Sequence, residues 1–172
     1  AVVRSWWGSE WRESTIPVRA LVVNEQASAF GWGWGMPGLQ RLHVRPSDSA
    51  VVIAGGDGSI LFFARQSCDG SGSCTYASPA GDFTELRYTS STAKYTRRSP
   101  DGTVATFGGS GLLERVEDRF ANATTFAYTA GQLTTNTDPA GKAITLGYGV
   151  NGAFGAAGKL AWIRDPGGRI VD

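Results

Sequence analysis

Three segments near the C-terminus, GLLERVEDRFANATTFAY, GQLTTNTDPAGKAITLGY and GKLAWIRDPGGRIVD, repeat one spacing that few folds accommodate. A leucine stands five residues before an aspartate in each, at Leu113/Asp118, Leu133/Asp138 and Leu160/Asp165. Two residues before each leucine is a glycine (Gly111, Gly131, Gly158), and three after each aspartate is a small residue (Ala121, Gly141, Gly168). Tyrosines ten residues beyond the aspartate close the first two units, at Tyr128 and Tyr148. The second and third copies run through Asp138–Pro139 and Asp165–Pro166, where proline presets a turn and stops a helix. LLERVEDRF, whose Leu112, Leu113, Val116 and Phe120 fall at helical spacing, is therefore expected to be a strand like its counterparts. Each unit reads as strand, turn, strand, with the aspartate accepting backbone N–H groups ahead of it. One such hairpin cannot bury its own face, so consecutive hairpins must lie side by side and share a core.

The rest of the chain agrees with an all-β, antiparallel hairpin fold. Gly 24 and Pro 7 make 31 of the 172 residues. Glycine costs about 1 kcal/mol and proline about 3 kcal/mol in a helix interior, so this density excludes a helical bundle or coiled coil. With 41% hydrophobic and 18% charged residues the chain can build a core. IPVRALVV (Ile16 to Val23) alternates as a strand, and LQRLHVRP and SAVVIAG follow as two more. Between them FGWGWGMPG bends the backbone sharply and is expected to offer Trp32 and Trp34 to the core. A D-G-x4-F spacing occurs twice, at Asp57, Gly58, Phe63 and at Asp101, Gly102, Phe107, and reads as a tight turn followed by a strand.

Formal net charge is +1. The largest basic cluster is Arg97–Arg98, so a nucleic-acid partner lacks its electrostatic footprint. No run approaches the roughly 18 apolar residues of a membrane span. Cys68 and Cys74 flank five small turn-forming residues in CDGSGSC. Two readings stay open, a disulfide closing a hairpin tip or two free thiols; a disulfide points to an extracellular or periplasmic setting.

The pattern G-x-L-x4-D-x2-G-x6-Y resembles the tyrosine-aspartate (YD) repeat of the rearrangement-hotspot (RHS) family, which includes bacterial polymorphic-toxin shells, insecticidal toxin-complex shells and animal teneurins. FGWGW is similar to the FG-x-GW element that opens such shells, and the two D-G turns and the PAG before Asp82, Phe83 and Leu86 resemble degenerate repeats. Ala121 and the glycine-rich insertion GVNGAFGAAG depart from the pattern. The resemblance divides the chain into residues 1–27, an N-terminal strand segment; 28–110, degenerate repeats opening the shell; and 111–172, three YD-type repeats with the last truncated. It implies a β-ribbon wound in a spiral around a hollow interior, enclosing or presenting a toxin or peptide cargo or acting at the cell surface. It also implies a secreted or surface location and no cofactor. Leu113, Asp118, Tyr128, Leu133, Asp138, Gly141, Tyr148, Leu160, Asp165 and Gly168 would then be structural, the aspartates and tyrosines bracing neighbouring hairpins. The third tyrosine falls due three residues past Asp172, so the last strand is expected to pair with further repeats of a longer polypeptide or with another chain.

Catalytic readings fare worse. Gly33, Gly35 and Gly38 satisfy G-x-G-x-x-G, but GLQRLHVRP is too short for the helix that a dinucleotide site needs. The periodic aspartates sit in turns rather than across a cleft as a glycosidase pair would. His43 lacks a nearby nucleophile in sequence, and Asp57 and Asp69 lack a calcium-binding carboxylate ladder. No catalytic or metal residue is therefore assigned. The rival is a binding module: Trp6, Trp7 and Trp11 can form an aromatic platform for a glycan or a protein, or can plug the start of the sheet.

Overall fold

The computed structural model describes residues 2–15, 24–149 and 157–172. The strand expected over Ile16–Val23 and most of the glycine-rich insertion lie outside them. The described residues form two antiparallel sheets and no helix.

The first sheet is a lone hairpin, β1 (Val2–Trp7) and β2 (Glu10–Thr15), turned by Gly8–Ser9. Gly8 has φ +65° while Ser9 does not, which is the two-residue turn that matches strand twist.

The second sheet has thirteen strands in strict sequence order. They are β3 (Gln40–Val44), β4 (Val51–Gly55), β5 (Ile60–Cys68), β6 (Cys74–Ala77), β7 (Glu85–Thr89), β8 (Lys94–Arg98) and β9 (Val104–Phe107), followed by β10 (Leu113–Glu117), β11 (Ala123–Thr129), β12 (Gln132–Thr137), β13 (Ala143–Tyr148), β14 (Leu160–Arg164) and β15 (Ile170–Val171). Within LLERVEDRF, Leu113–Glu117 is strand and Asp118–Phe120 open the next turn, with no helix, as its repeat counterparts required.

The ribbon curls. Arg41 on β3 bridges Leu112, just before β10, and the Leu42 N–H donates to the Gly111 carbonyl at 2.8 Å. Eight strands, β3 to β10, therefore make one full turn, and each contributes to a single core: Leu42, Val51, Ile53, Phe63, Tyr76, Leu86, Tyr95, Ala105, Phe107 and Leu113. Phe63, Phe107 and Leu113 are wholly buried. The resemblance implies a hollow interior, but over this turn the concave side is filled. A curl this tight brings opposite strands within side-chain reach, and large residues at alternate positions occupy the space. β4 is buried on both faces, Val52 and Ala54 as well as Val51 and Ile53.

Trp32 and Trp34, expected in the core, are 77% and 71% exposed. The glycines around them let the chain lie across the outside of the curl instead. The segment before β3 is tied to the far end of the ribbon: the Leu160 N–H donates to the Ala29 carbonyl at 2.7 Å, and Lys159 Nζ to the Ser28 carbonyl at 2.6 Å.

Candidate functional site

The three repeats share one hydrogen-bonded device. At Asp138 the backbone N–H donates to Lys142 O, the Gly141 N–H donates back to Asp138 O, and Asp138 Oδ1 accepts the N–H groups of Ala140 and Lys142 at 2.9 and 2.8 Å. Asp118 does the same with Phe120 and Asn122, and Asp165 with Arg169. Gly141 and Gly168 sit at φ +78° and +86°, the left-handed conformation that closes such a turn, and Ala121 adopts +65° despite its side chain. The same backbone closure recurs at residues 55–59, 69–73, 99–103 and 108–112. The aspartates are thus bonded within their own turns and, among the described residues, make no hydrogen bond to a neighbouring hairpin. Hydrogen bonds hold the carboxyls of Asp118 and Asp165 below the usual carboxylate range, chiefly from the Asn122 side chain at Asp118 and from the Arg169 backbone at Asp165.

The tyrosines do reach a neighbouring strand. Tyr128 donates its hydroxyl to the Leu113 carbonyl at 2.8 Å, and Tyr148 to the Leu133 carbonyl at 2.7 Å. The strand pairing explains the need. In every repeat the residue after the leucine is skipped in the pairing: Glu114, Thr134 and Ala161. The ladders from β10 to β11 and from β12 to β13 stop at Arg115 and Thr135, leaving each leucine carbonyl for the hydroxyl. Leu113 and Leu133 are buried, so the tyrosine satisfies a carbonyl in a region with little water. Burial pushes the Tyr128 hydroxyl up to about 12 and also raises that of Tyr148. Leu160 stands in the same register opposite Tyr148.

Cys68 and Cys74 are directly opposed on β5 and β6 and form a disulfide with S–S 2.03 Å. The loop they close is tied to the next turn by hydroxyls: the Ser90 N–H donates to Ser73 Oγ, and Ser90 Oγ to the Ser71 carbonyl at 2.6 Å.

Trp6 and Trp11 do not plug the main sheet. Trp6 and Trp11 are opposed across the β1–β2 hairpin, their rings edge to face at 5.1 Å, and remain 54% and 66% exposed. Arg4 and Glu13 pair on the same face at 3.0 Å. Trp7 lies on β1; its side chain is outside the described set.

One concave feature was not foreseen. Where the curl overlaps itself, the β4–β5 turn (Gly55, Gly56, Gly58) faces the β11–β12 turn (Ala130, Gly131, Gln132) across a cavity of about 510 Å³, with the segment before β3 along one side. Its polar walls include Glu25, Arg41 and His43, and its aromatic walls Phe30, Trp34 and Tyr128. Burial, reinforced by the Arg41 guanidinium, lowers the His43 pKa below its usual 6.5, against a smaller pull from Glu25. Among the described residues Arg41 makes no ion pair, and no group of three or more His, Cys, Asp or Glu side chains is arranged to hold a metal. Only the fold reveals this cavity, since its walls come from residues more than one hundred positions apart. Gly33, Gly35 and Gly38 precede β3 and no helix, so they form no dinucleotide loop.

No protein-family model matches the chain, and no curated protein matches it. No helix among the described residues is long and apolar enough to cross a membrane, a statement that does not bear on strands.

Proposed function

We propose that the chain is a non-catalytic structural segment of a secreted RHS/YD-repeat shell, which encloses or presents a toxin or peptide cargo or works at a cell surface. The observation that carries this reading is the tyrosine-to-leucine hydrogen bond, made twice in the same geometry along one unbroken ribbon. A device that satisfies backbone groups between successive hairpins serves extension, since each added unit meets the same edge. β15 carries exposed Ile170 and Val171, which suits pairing with a further strand. Two assays test the reading. Hydrogen exchange over residues 158–172, combined with light scattering, should find a β15 that frays or self-associates in the isolated chain; a strictly monomeric chain with β15 fully protected counts against it. A hydrolase or transferase activity that co-purifies and vanishes on a single Asp or His substitution overturns the non-catalytic assignment.

A second reading is an extracellular glycan- or protein-binding module using the N-terminal tryptophans. What favours it is the exposed Trp6–Trp11 pair on a two-stranded hairpin, a unit of marginal stability in water by itself. Acrylamide quenching of Trp6→Phe and Trp11→Phe variants, with and without candidate partners, separates a covered pair from a free platform.

A further inference from the structure

Two opposite charges line the cavity at the overlap of the curl without meeting. Arg41 and His43 alternate on one face of β3, either side of buried Leu42, and Glu25 comes from the segment before that strand. Among the described residues neither the Arg41 guanidinium nor the Glu25 carboxylate makes an ion pair, so the two stand farther apart than direct pairing allows. Both nevertheless act on the same imidazole. Burial lowers the His43 pKa below its usual 6.5, the guanidinium lowers it further, and the carboxylate pulls it back. At neutral pH His43 is therefore uncharged, and the described walls hold one cation and one anion.

This arrangement discriminates by charge. A lone anion gains Arg41 but meets Glu25, and a lone cation meets the reverse, whereas a molecule carrying both charges in a small frame satisfies both at once. Gln132 adds a neutral acceptor. Its Nε2 is committed to the Gly158 carbonyl at 2.8 Å, which leaves Oε1 for an N–H donor. Phe30 and Leu39, both half-buried, supply apolar wall beside these groups. The volume, about 510 Å³, lies within the roughly 300–1,000 Å³ range of small-molecule sites.

We infer that this cavity binds a small zwitterion, an α-amino acid or a dipeptide with an apolar side chain, its carboxylate paired with Arg41 and its ammonium held by Glu25 and the Gln132 amide oxygen. The site is separate from the Trp6–Trp11 pair and rests on neither reading of function given above. Arg41 and Glu25 are both exposed, so water and salt screen them; binding is expected to be weak and to fall with ionic strength.

The test titrates the intact chain with L-leucine, L-phenylalanine, leucyl-alanine and phenylalanyl-glycine, each also with its amino group acetylated, its carboxylate amidated, or both. Amide chemical shifts are the readout. At least one unblocked compound should saturate, with shifts at His43, Gly131 and Gln132, and the tighter of the two kinds tells a free amino acid from a dipeptide. Blocking either terminus should weaken binding at least tenfold. Arg41→Gln should remove the penalty for amidation, and Glu25→Gln the penalty for acetylation. The blocked compounds on the unaltered chain keep the inference falsifiable should a variant fail to fold. Three outcomes overturn it: none of the four unblocked compounds saturates, a doubly blocked compound binds as tightly as its parent, or a penalty survives in the variant that should remove it.

Discussion

Replacing Tyr128 by phenylalanine removes one oxygen and keeps the ring. The hydroxyl lies 2.8 Å from the Leu113 carbonyl, and Leu113 is fully buried. The β10–β11 ladder ends at Arg115, so Leu113 has no paired residue on β11 whose N–H could replace the lost donor. The variant loses a hydrogen bond, worth about 1 kcal/mol net, and leaves a buried acceptor partly unmet, which brings the expected cost to about 1–2 kcal/mol. At about 3 °C per kcal/mol for a chain of this size, the midpoint should fall by about 3–6 °C. Tyr88 provides the control. Its ring packs on Tyr95 at 4.7 Å, and its hydroxyl makes no hydrogen bond among the described residues, so Tyr88→Phe should stay within about 0.5 kcal/mol. Thermal and urea unfolding followed by near-UV circular dichroism reads both. If Tyr128→Phe and Tyr88→Phe melt together, the hydroxyl is not satisfying the Leu113 carbonyl and the account of the repeat is wrong.

Gly111 and Gly141 share nearly the same φ, +80° and +78°, but an added Cβ meets the Leu42 carbonyl at 1.9 Å at the first and open space at the second. Gly141→Ala should cost about 1–2 kcal/mol for the left-handed backbone alone, and Gly111→Ala clearly more because it pries β3 from the curl; equal losses in urea melts would contradict the overlap. An alanine at Gly147 would overlap the Trp162 ring at 2.0 Å, so Gly147→Ala should cost about 1–3 kcal/mol and shift Trp162 emission, and an unchanged spectrum would refute the packing. Burial raises Tyr95 and Tyr128 to about 12, above their ordinary 10, so the stability linked to their neutral forms is complete below pH 10 and is lost as pH rises through 12. Urea midpoints should therefore drop over that window, less so in Tyr128→Phe; a flat profile would count against their burial.

Local chemistry made much of this chain legible from its sequence. Asp-Pro-x-Gly can only be a turn, and three turns at matched distances from a leucine fix strands on either side, which is why LLERVEDRF reads as a strand despite its helical spacing. The turn at Asp69 and the opposition of Cys68 and Cys74 follow from small residues between two strands. What the tertiary structure decided depends on curvature, which no local spacing encodes. The curl fills the concave side with one or two residues from each of eight strands, and it places Gly111 against Leu42 and Gln132 opposite Gly56. It also reverses the expectation for Trp32 and Trp34: hydrophobicity predicts burial, but the core is already full of residues from the sheet itself, and the glycine-rich segment carrying them crosses the outside. The tyrosines were recognisable as repeat residues. Their partner, a leucine carbonyl fifteen residues earlier and just past the end of the ladder, became visible only once the strands were in register.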